Sequence, residues 1–304
     1  MQTDPTAADF VSVIIPTYNR AHTLPRSIRS VLGQTHGNLE LIVADDGSSD
    51  GTEALIAGWG DPRLVYRRAA RNGGAGAARN LGLRHARGAL IAFQDSDDEW
   101  LLDKLAHQLA RLAEAGDDYG AIFGSKLIYG HDARFRYGEG LVAIAPEAGR
   151  TVPDGDITLE TLRGNLISPQ TLLMRAEAAR KTGFYDERLP INEDWEFMIR
   201  LSRATRVRYD PRPVCVAYVQ GDSISRRPRG RARSFLAVPR LHAGLFAPHP
   251  KIRARYLFSA GRTLQALGKP RSAVKALRRA VRLDPSRPRY WAGLGLALVK
   301  RAGI

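Results

Sequence analysis

Three carboxylates crowd into four positions in Asp95-Ser96-Asp97-Asp98, directly after the apolar run Ala89-Leu90-Ile91-Ala92-Phe93. Like charges held this close repel one another, and a hard divalent cation with oxygen ligands relieves the repulsion. Mg²⁺ and Mn²⁺ take one or two protein carboxylates and leave the other positions to phosphate and water. The chemistry implied is transfer from a donor that carries a diphosphate. A solvated acidic turn is the plainer alternative, with Asp98 suited to capping the helix expected just beyond it.

The same arrangement occurs twice upstream. Leu39–Ala44 is an apolar run ending in Asp45-Asp46-Gly47-Ser48-Ser49-Asp50, and Val11–Ile15 ends in Pro16-Thr17-Tyr18-Asn19-Arg20. Open α/β sheets bind ligands at the carboxyl ends of their strands, so three strands deliver polar groups to one expected crevice. Strands are expected at Val11–Ile15, Leu39–Ala44, Leu64–Arg67 and Ala89–Phe93. Helices are expected at His22–Leu32, Thr52–Trp59, Ala75–Ala86 and Leu101–Ala115. This βαβα alternation implies a parallel sheet with helices on both faces. Further on, Tyr119–Tyr129, Val207–Tyr209 and Val214–Val219 are expected as strands, and Glu177–Lys181 and Glu193–Arg203 as helices. Residues 130–155 are rich in Gly, Pro and charge and are expected as a loop or ribbon over a substrate.

In order along the first two-thirds of the chain, these pieces resemble glycosyltransferase family 2, the inverting, metal-dependent enzymes of GT-A fold. The matching segments are Val11–Asn19, Asp45-Asp46-Gly47-Ser48, Asn72-Gly73-Gly74-Ala75-Gly76-Ala77-Ala78-Arg79-Asn80 and Asp95–Asp98. Gly183-Phe184-Tyr185-Asp186-Glu187 and Glu193-Asp194-Trp195-Glu196 complete the series. The resemblance implies a mostly parallel Rossmann-like sheet with helices on both faces. It also implies a nucleotide-diphosphate sugar as donor, a UDP sugar first among them, and a bound Mn²⁺ or Mg²⁺.

Roles follow from the same resemblance. Asp97 is the expected metal ligand, with Asp95 bonding the ribose or sharing the ion and Asp98 ranked third. Pro16 begins the turn that places Tyr18 against a uracil-type base, whose ring N–H Asp46 accepts. Arg79, with the amides of the glycine-rich turn before it, faces phosphate. Asp194 is the expected catalytic base that takes the acceptor hydroxyl's proton, with Glu193 as its competitor; Trp195 walls the acceptor site or fills core.

Two departures from the family pattern are visible. The Gln-x-x-Arg-Trp motif of processive synthases and membrane-spanning segments are both missing, which favours single additions. Where many members carry a histidine after the last strand, this chain has Gln220, with Asp222 nearby to compensate. Rival readings are a nucleotidyltransferase of related shape and a scaffold with a decayed site.

At 304 residues, 44% hydrophobic and 25% charged, the chain has ordinary globular composition, and no apolar run reaches the length that crosses a bilayer. No secretory signal is visible. The single cysteine, Cys215, rules out an internal disulfide and fits an inert core thiol in a reducing cytoplasm.

The net charge of +15 is unevenly spread. Residues 203–304 hold 24 basic and 3 acidic residues, a balance of +21, against 22 basic and 28 acidic before them, a balance of −6. Such a basic tail fits an anionic partner, either a membrane surface or a protein. Nucleic acid is not expected, because interleaved aromatics and a reading motif are lacking. The expected organisation is a catalytic domain over 1–225, a basic linker over 226–250 and a helical tail over 251–304. The tail resembles tetratricopeptide repeats at Gly261, Leu264, Ala273, Leu277, Ala280 and Pro285, then at Trp291, Leu294, Gly295 and Leu298. Tyr256 and Tyr290 stand 34 residues apart, the period of that repeat. The expected acceptor is a glycan or lipid-linked glycan, met in the cytoplasm or at the inner face of the cell membrane.

Overall fold

Apolar strands that alternate with one-sided helices wind into a doubly covered sheet. A computed structural model shows this for residues 8–130, 142–147, 149–219 and 228–302. Strands β1 (Val11–Thr17), β2 (Leu39–Asp45), β3 (Leu64–Arg68) and β4 (Leu90–Phe93) pair in parallel in the order β3-β2-β1-β4. Helices α1 (Leu24–Leu32), α2 (Thr52–Ala57) and α3 (Ala75–His85) connect them. Every residue of β1, β2 and β4 is buried, as both faces of a helix-covered sheet require. Alternate residues feed two cores. Val13, Ile15, Leu41, Val43 and Ala92 belong to one, and Ile14, Ile42, Ala44, Ile91 and Phe93 to the other. Gly82 lets α3 lie against β1, since a Cβ there would stand 2.3 Å from Ile14 Cγ2.

Beyond β4 the sheet becomes mixed, where the strand–helix alternation implied a parallel one. After β5 (Glu99–Trp100) and α4 (Lys104–Ala115) come β6 (Tyr119–Tyr129), β7 (Val142–Ala145), α5 (Thr158–Arg163), β8 (Leu172–Arg175), α6 (Ala176–Thr182), α7 (Glu193–Ala204) and β9 (Arg206–Tyr218). The sheet order is β3-β2-β1-β4-β8-β6-β9-β5, with β7 added to β6. Strand β8 runs antiparallel between β4 and β6, and β5 runs antiparallel to β9. The two late strands expected around Pro211 and Pro213 form one strand. Its ladder with β6 absorbs the prolines through register shifts between Phe123 and Lys126, where Gly124 leaves room for Val214. In the segment expected as a loop or ribbon, β7 makes a ribbon with β6; residues 131–141 and 148 lie outside the described residues.

The chain divides into two compact units, Met1–Glu187 with Phe197–Gly221, and Arg188–Glu196 with Asp222–Ile304. The first holds the sheet. The second is helical, with α8 (Pro228–Leu241), α9 (Ala243–Phe246), α10 (Pro250–Ala266), α11 (Pro270–Leu283) and α12 (Pro288–Ala302). Within the basic linker expected over 226–250, Pro228–Leu241 and Ala243–Phe246 are helices. Arg226, Arg227 and the expected boundary at 225 lie outside the described residues, as do Gln220 and Asp222. In the repeat-like tail, Ala273 and Ala280 are fully buried, and a Cβ on Gly261 would stand 2.6 Å from Leu277 Cγ. The small residues therefore do bring α10 and α11 close. Among the described residues, no helix is long and apolar enough to cross a membrane.

Candidate active site

The carboxyl ends of β1 and β2 are level, with Thr17 beside Asp45. Hydrogen bonds lace the turns that follow. Asn19, at φ 53°, donates its amide to Ser48 Oγ at 2.9 Å and accepts from the Ser49 amide at 2.8 Å. Asp50 accepts from the Ala21 amide at 3.0 Å. Asp45 is fully buried and holds its own turn, accepting from the Ser48 amide and hydroxyl at 2.9 and 2.6 Å and from Tyr66 OH. Pro16 is buried within β1, and Tyr18 beyond it is 43% exposed.

Asp46 holds the glycine turn in place. Its two oxygens accept the amides of Gly73 and Gly74 at 2.9 and 2.7 Å, so it fastens the glycine turn to the end of β2. Burial raises its pKa, and these two amide bonds oppose the rise. The Gly73 and Gly74 amides, expected to face phosphate, are thus engaged by Asp46. Gly74 takes φ 94°, a conformation open to glycine, where the chain turns into α3. A carboxylate oxygen accepts two bonds, so each Asp46 oxygen keeps acceptor capacity beyond these amides.

The Asp95–Asp98 turn is pinned from three sides. Ser27 Oγ donates to the Asp95 carbonyl at 2.8 Å, and Arg26 donates to the Asp97 carbonyl. Asp98 points inward. It accepts from Gln170 Nε2 at 2.8 Å and from the Tyr218 amide at 3.0 Å. Burial, then the charges of Asp95 and Asp97, push its pKa up to about 8. The helix-capping role expected for Asp98 is not what it does, because α4 begins only at Lys104, behind Asp103. Asp95 and Asp97 remain half-buried, while Ser96 and Asp98 are buried. Asp95 Oδ1 pairs with Arg79 Nη2 at 3.1 Å, and the Arg79 side chain is 8% exposed.

Helix α3 also carries Asn80, which clamps the later Gly183–Glu187 segment. Its amide nitrogen donates to Tyr185 O at 3.0 Å and to Glu187 Oε1 at 2.8 Å, and its oxygen accepts the Tyr185 amide at 2.7 Å. The Tyr185 ring stacks on Phe197 with centroids 4.2 Å apart, and the Arg79 guanidinium lies 5.5 Å from its centroid. Two sequence segments over a hundred residues apart are thereby one structural piece.

Asp194 stands in the first turn of α7, half-buried, with its Oδ1 accepting the Trp195 amide at 2.7 Å. Glu193 is buried, 8% exposed. Trp195 is 1% exposed and packs on Tyr256 at 4.5 Å, so it fills core. Glu196 Oε1 accepts from His242 Nε2 at 3.0 Å. Sequence reasoning missed Arg26, Ser27, Gln170 and Tyr218, because each meets the acidic turn from about 70 residues or more away in the chain. Cys215 is buried and its thiol is pushed up to about 12 by burial, so it stays protonated as expected of a core thiol.

Among the described residues, no three His, Cys, Asp or Glu side chains gather as a metal cage. Asp95 and Asp97 are instead a pair on one rigid turn, the number of protein carboxylates that Mg²⁺ or Mn²⁺ takes when phosphate completes the sphere. The donor set fits such an ion.

Fold and site together define a GT-A-type α/β domain with an acidic turn at the strand ends. Residues 12–154 match the family Glycosyl transferase family 2, and residues 254–297 match a tetratricopeptide repeat. An uncharacterised glycosyltransferase of Rickettsia conorii is 32% identical over 203 residues, which are 66% of this chain and 32% of that protein. This chain thus spans about a third of that relative's length. The Escherichia coli UDP-Glc:alpha-D-GlcNAc-diphosphoundecaprenol beta-1,3-glucosyltransferase WfgD is 45% identical over 102 residues, 34% of this chain and 40% of that protein. Among solved structures, S. aureus TarS 1-349 in complex with UDP-GlcNAc superposes with a TM-score of 0.66 at 21% identity. That match covers 95% of this chain and 87% of TarS 1-349, and it shows a shared fold.

Proposed function

We propose that this chain is an inverting, divalent-metal-dependent glycosyltransferase. It moves a sugar from a UDP-linked donor to a hydroxyl of a lipid-linked glycan at the cytoplasmic face of a membrane. The observation that carries this reading is the Asp95–Asp98 turn. Asp98 is drawn inward by Gln170 and Tyr218, which leaves Asp95 and Asp97 half-exposed at the end of β4. The UDP-GlcNAc complex of TarS supports the donor class, and the lipid diphosphate named for WfgD supports the acceptor class.

Asp97 would hold the metal, with Asp95 sharing it or meeting the ribose. When bound, the ion supplies Lewis-acid stabilisation of the charge that grows on the departing diphosphate. Arg79 is a cation of this chain at the same turn; its bond to Asp95 orients it and neutralises one of the crowded carboxylates. Tyr18 stacks on the base and Asp46 accepts its N–H, within the laced turns that Pro16 begins. Asp194 takes the acceptor hydroxyl's proton as the new glycosidic bond forms, a task for which a positioned carboxylate suffices.

A thermal-shift panel of UDP-, GDP- and dTDP-sugars, with and without Mn²⁺, tests this. One UDP sugar should raise the melting temperature only when Mn²⁺ is present, by linkage of binding to folding. Equal shifts from all nucleotides, or none from any, would refute the donor assignment. Metal-dependent hydrolysis of the same UDP sugar without acceptor separates an enzyme from a scaffold.

A further inference from the structure

The outer face of α12 is apolar where a repeat helix facing water is ordinarily polar. Tyr290, Leu294 and Ala297 are buried against α10 and α11. Trp291 is 54% exposed, and Leu296, Leu298 and Val299 are exposed with it. At 3.6 residues per turn these four, with Ala292 and Gly295, fall in one arc of about 160° that contains no charged residue. Arg289 and Lys300 border that arc on one side. The segment 251–304 holds 14 basic residues and one acidic residue. The Trp291 indole is fixed by its bond from Nε1 to the Pro285 carbonyl at 2.9 Å.

We infer that this face of α12 is a membrane-seating surface that lies in the headgroup region of an anionic bilayer. Fifteen residues of helix span roughly 22 Å, short of the roughly 30 Å hydrocarbon core, so α12 lies along the surface. Aromatic and aliphatic residues on one face with basic residues at its border are the composition of interfacial helices. Charge decides between occupants. A second copy would bring two strongly basic segments together, whereas an anionic lipid surface neutralises them. A peptide partner of a tetratricopeptide array sits in a groove built from several repeats, and this face belongs to one helix. The inference deepens the lipid-linked-acceptor reading and names the element that holds the enzyme beside such an acceptor.

The test uses the full chain with phosphatidylcholine vesicles, with and without an equimolar share of phosphatidylglycerol, at low and high salt. The protein should co-sediment with the anionic vesicles and release partly as salt shortens the Debye length. Leu296→Ser with Val299→Ser, which leaves every charge in place, should weaken partition about tenfold or more. Brominated lipid should quench tryptophan emission, and Trp291→Phe should remove the quenching while binding persists. Circular dichroism and the UDP-induced thermal shift establish that the serine variant is folded and still binds donor. Loss of that thermal shift in the parent chain would bear on the transferase reading alone. The inference is overturned by equal binding to neutral vesicles, by no binding to either, or by anionic binding that the serine pair leaves unchanged. Self-association in solution that the serine pair abolishes would overturn it in favour of a second copy.

Discussion

Lys104 is a fully buried lysine in the first turn of α4, and replacing it should stabilise the protein near neutral pH. Its Nζ lies 4.1 Å from the Trp100 ring centroid, donates to Gln108 Oε1 at 2.7 Å and approaches the Leu172 carbonyl at 3.4 Å. Burial nonetheless dominates and lowers its pKa from 10.5 to about 7. Between these two values the unfolded chain binds one proton more than the native one, so this group makes stability rise with pH. From pH 7 to pH 9 the rise amounts to about 2 kcal/mol, and the total burden at pH 7 is about 4 kcal/mol relative to a residue that never ionises. Lys104→Met removes that burden but leaves Gln108 Oε1 without its donor, at a cost of about 1–3 kcal/mol. The variant should therefore gain about 1–3 kcal/mol at pH 7, and the gain should vanish by pH 9. Urea unfolding followed by circular dichroism at pH 6, 7, 8 and 9 measures this. The window stops at 9 because Cys215, held protonated in the native state, acts in the opposite direction above the ordinary thiol pKa. Parallel stability profiles for the two proteins across this range would refute the reasoning.

At the site, Asp97→Asn should abolish Mn²⁺-dependent UDP binding by calorimetry. Without metal it should leave thermal stability equal or higher, because one of the crowded charges is gone; unchanged affinity would remove Asp97 as the principal ligand. Asp194→Asn should keep donor affinity and lower sugar transfer by about 10²–10⁴-fold, the worth of a positioned base. Normal turnover in that variant would shift the role to Glu193. Gly82→Ala should cost about 1–3 kcal/mol in urea unfolding, because its Cβ meets Ile14 Cγ2 at 2.3 Å. An Ile14→Ala background should remove most of that cost, and strict additivity of the two changes would contradict the close packing of α3 on β1.

The first half of the sheet and the acidic turns were legible because their signals are local. Strands β1 to β4 are apolar runs separated by helices of ordinary length, and the residues that follow each strand are adjacent to it in sequence. Parallel pairing then brings those turns to one edge whatever the rest of the chain does. The small residues of the tail were legible for a similar reason, since their spacing matches a helix pair. The second half depended on long-range pairing. Strand β8 is four residues long, and β5 only two. Such segments have too little periodicity to announce themselves and become strands by hydrogen bonding to β4, β6 and β9. Two strands were expected where β9 is one, its prolines accommodated by register shifts opposite Gly124. Asp98 read as a metal ligand or helix cap, and for Trp195 a site wall and a core residue were both open, until tertiary contacts turned them inward, toward Gln170 and Tyr218 in one case and Tyr256 in the other. Asp46 was recognisable as an acid at a strand end, but only folding showed that it grips the glycine turn. Sequence alone settled which strands end in carboxylates. The direction in which each carboxylate points was decided by partners about 70 or more residues away for Asp98 and 27 residues away for Asp46, because burial in the folded chain makes each acceptor seek the nearest available donor.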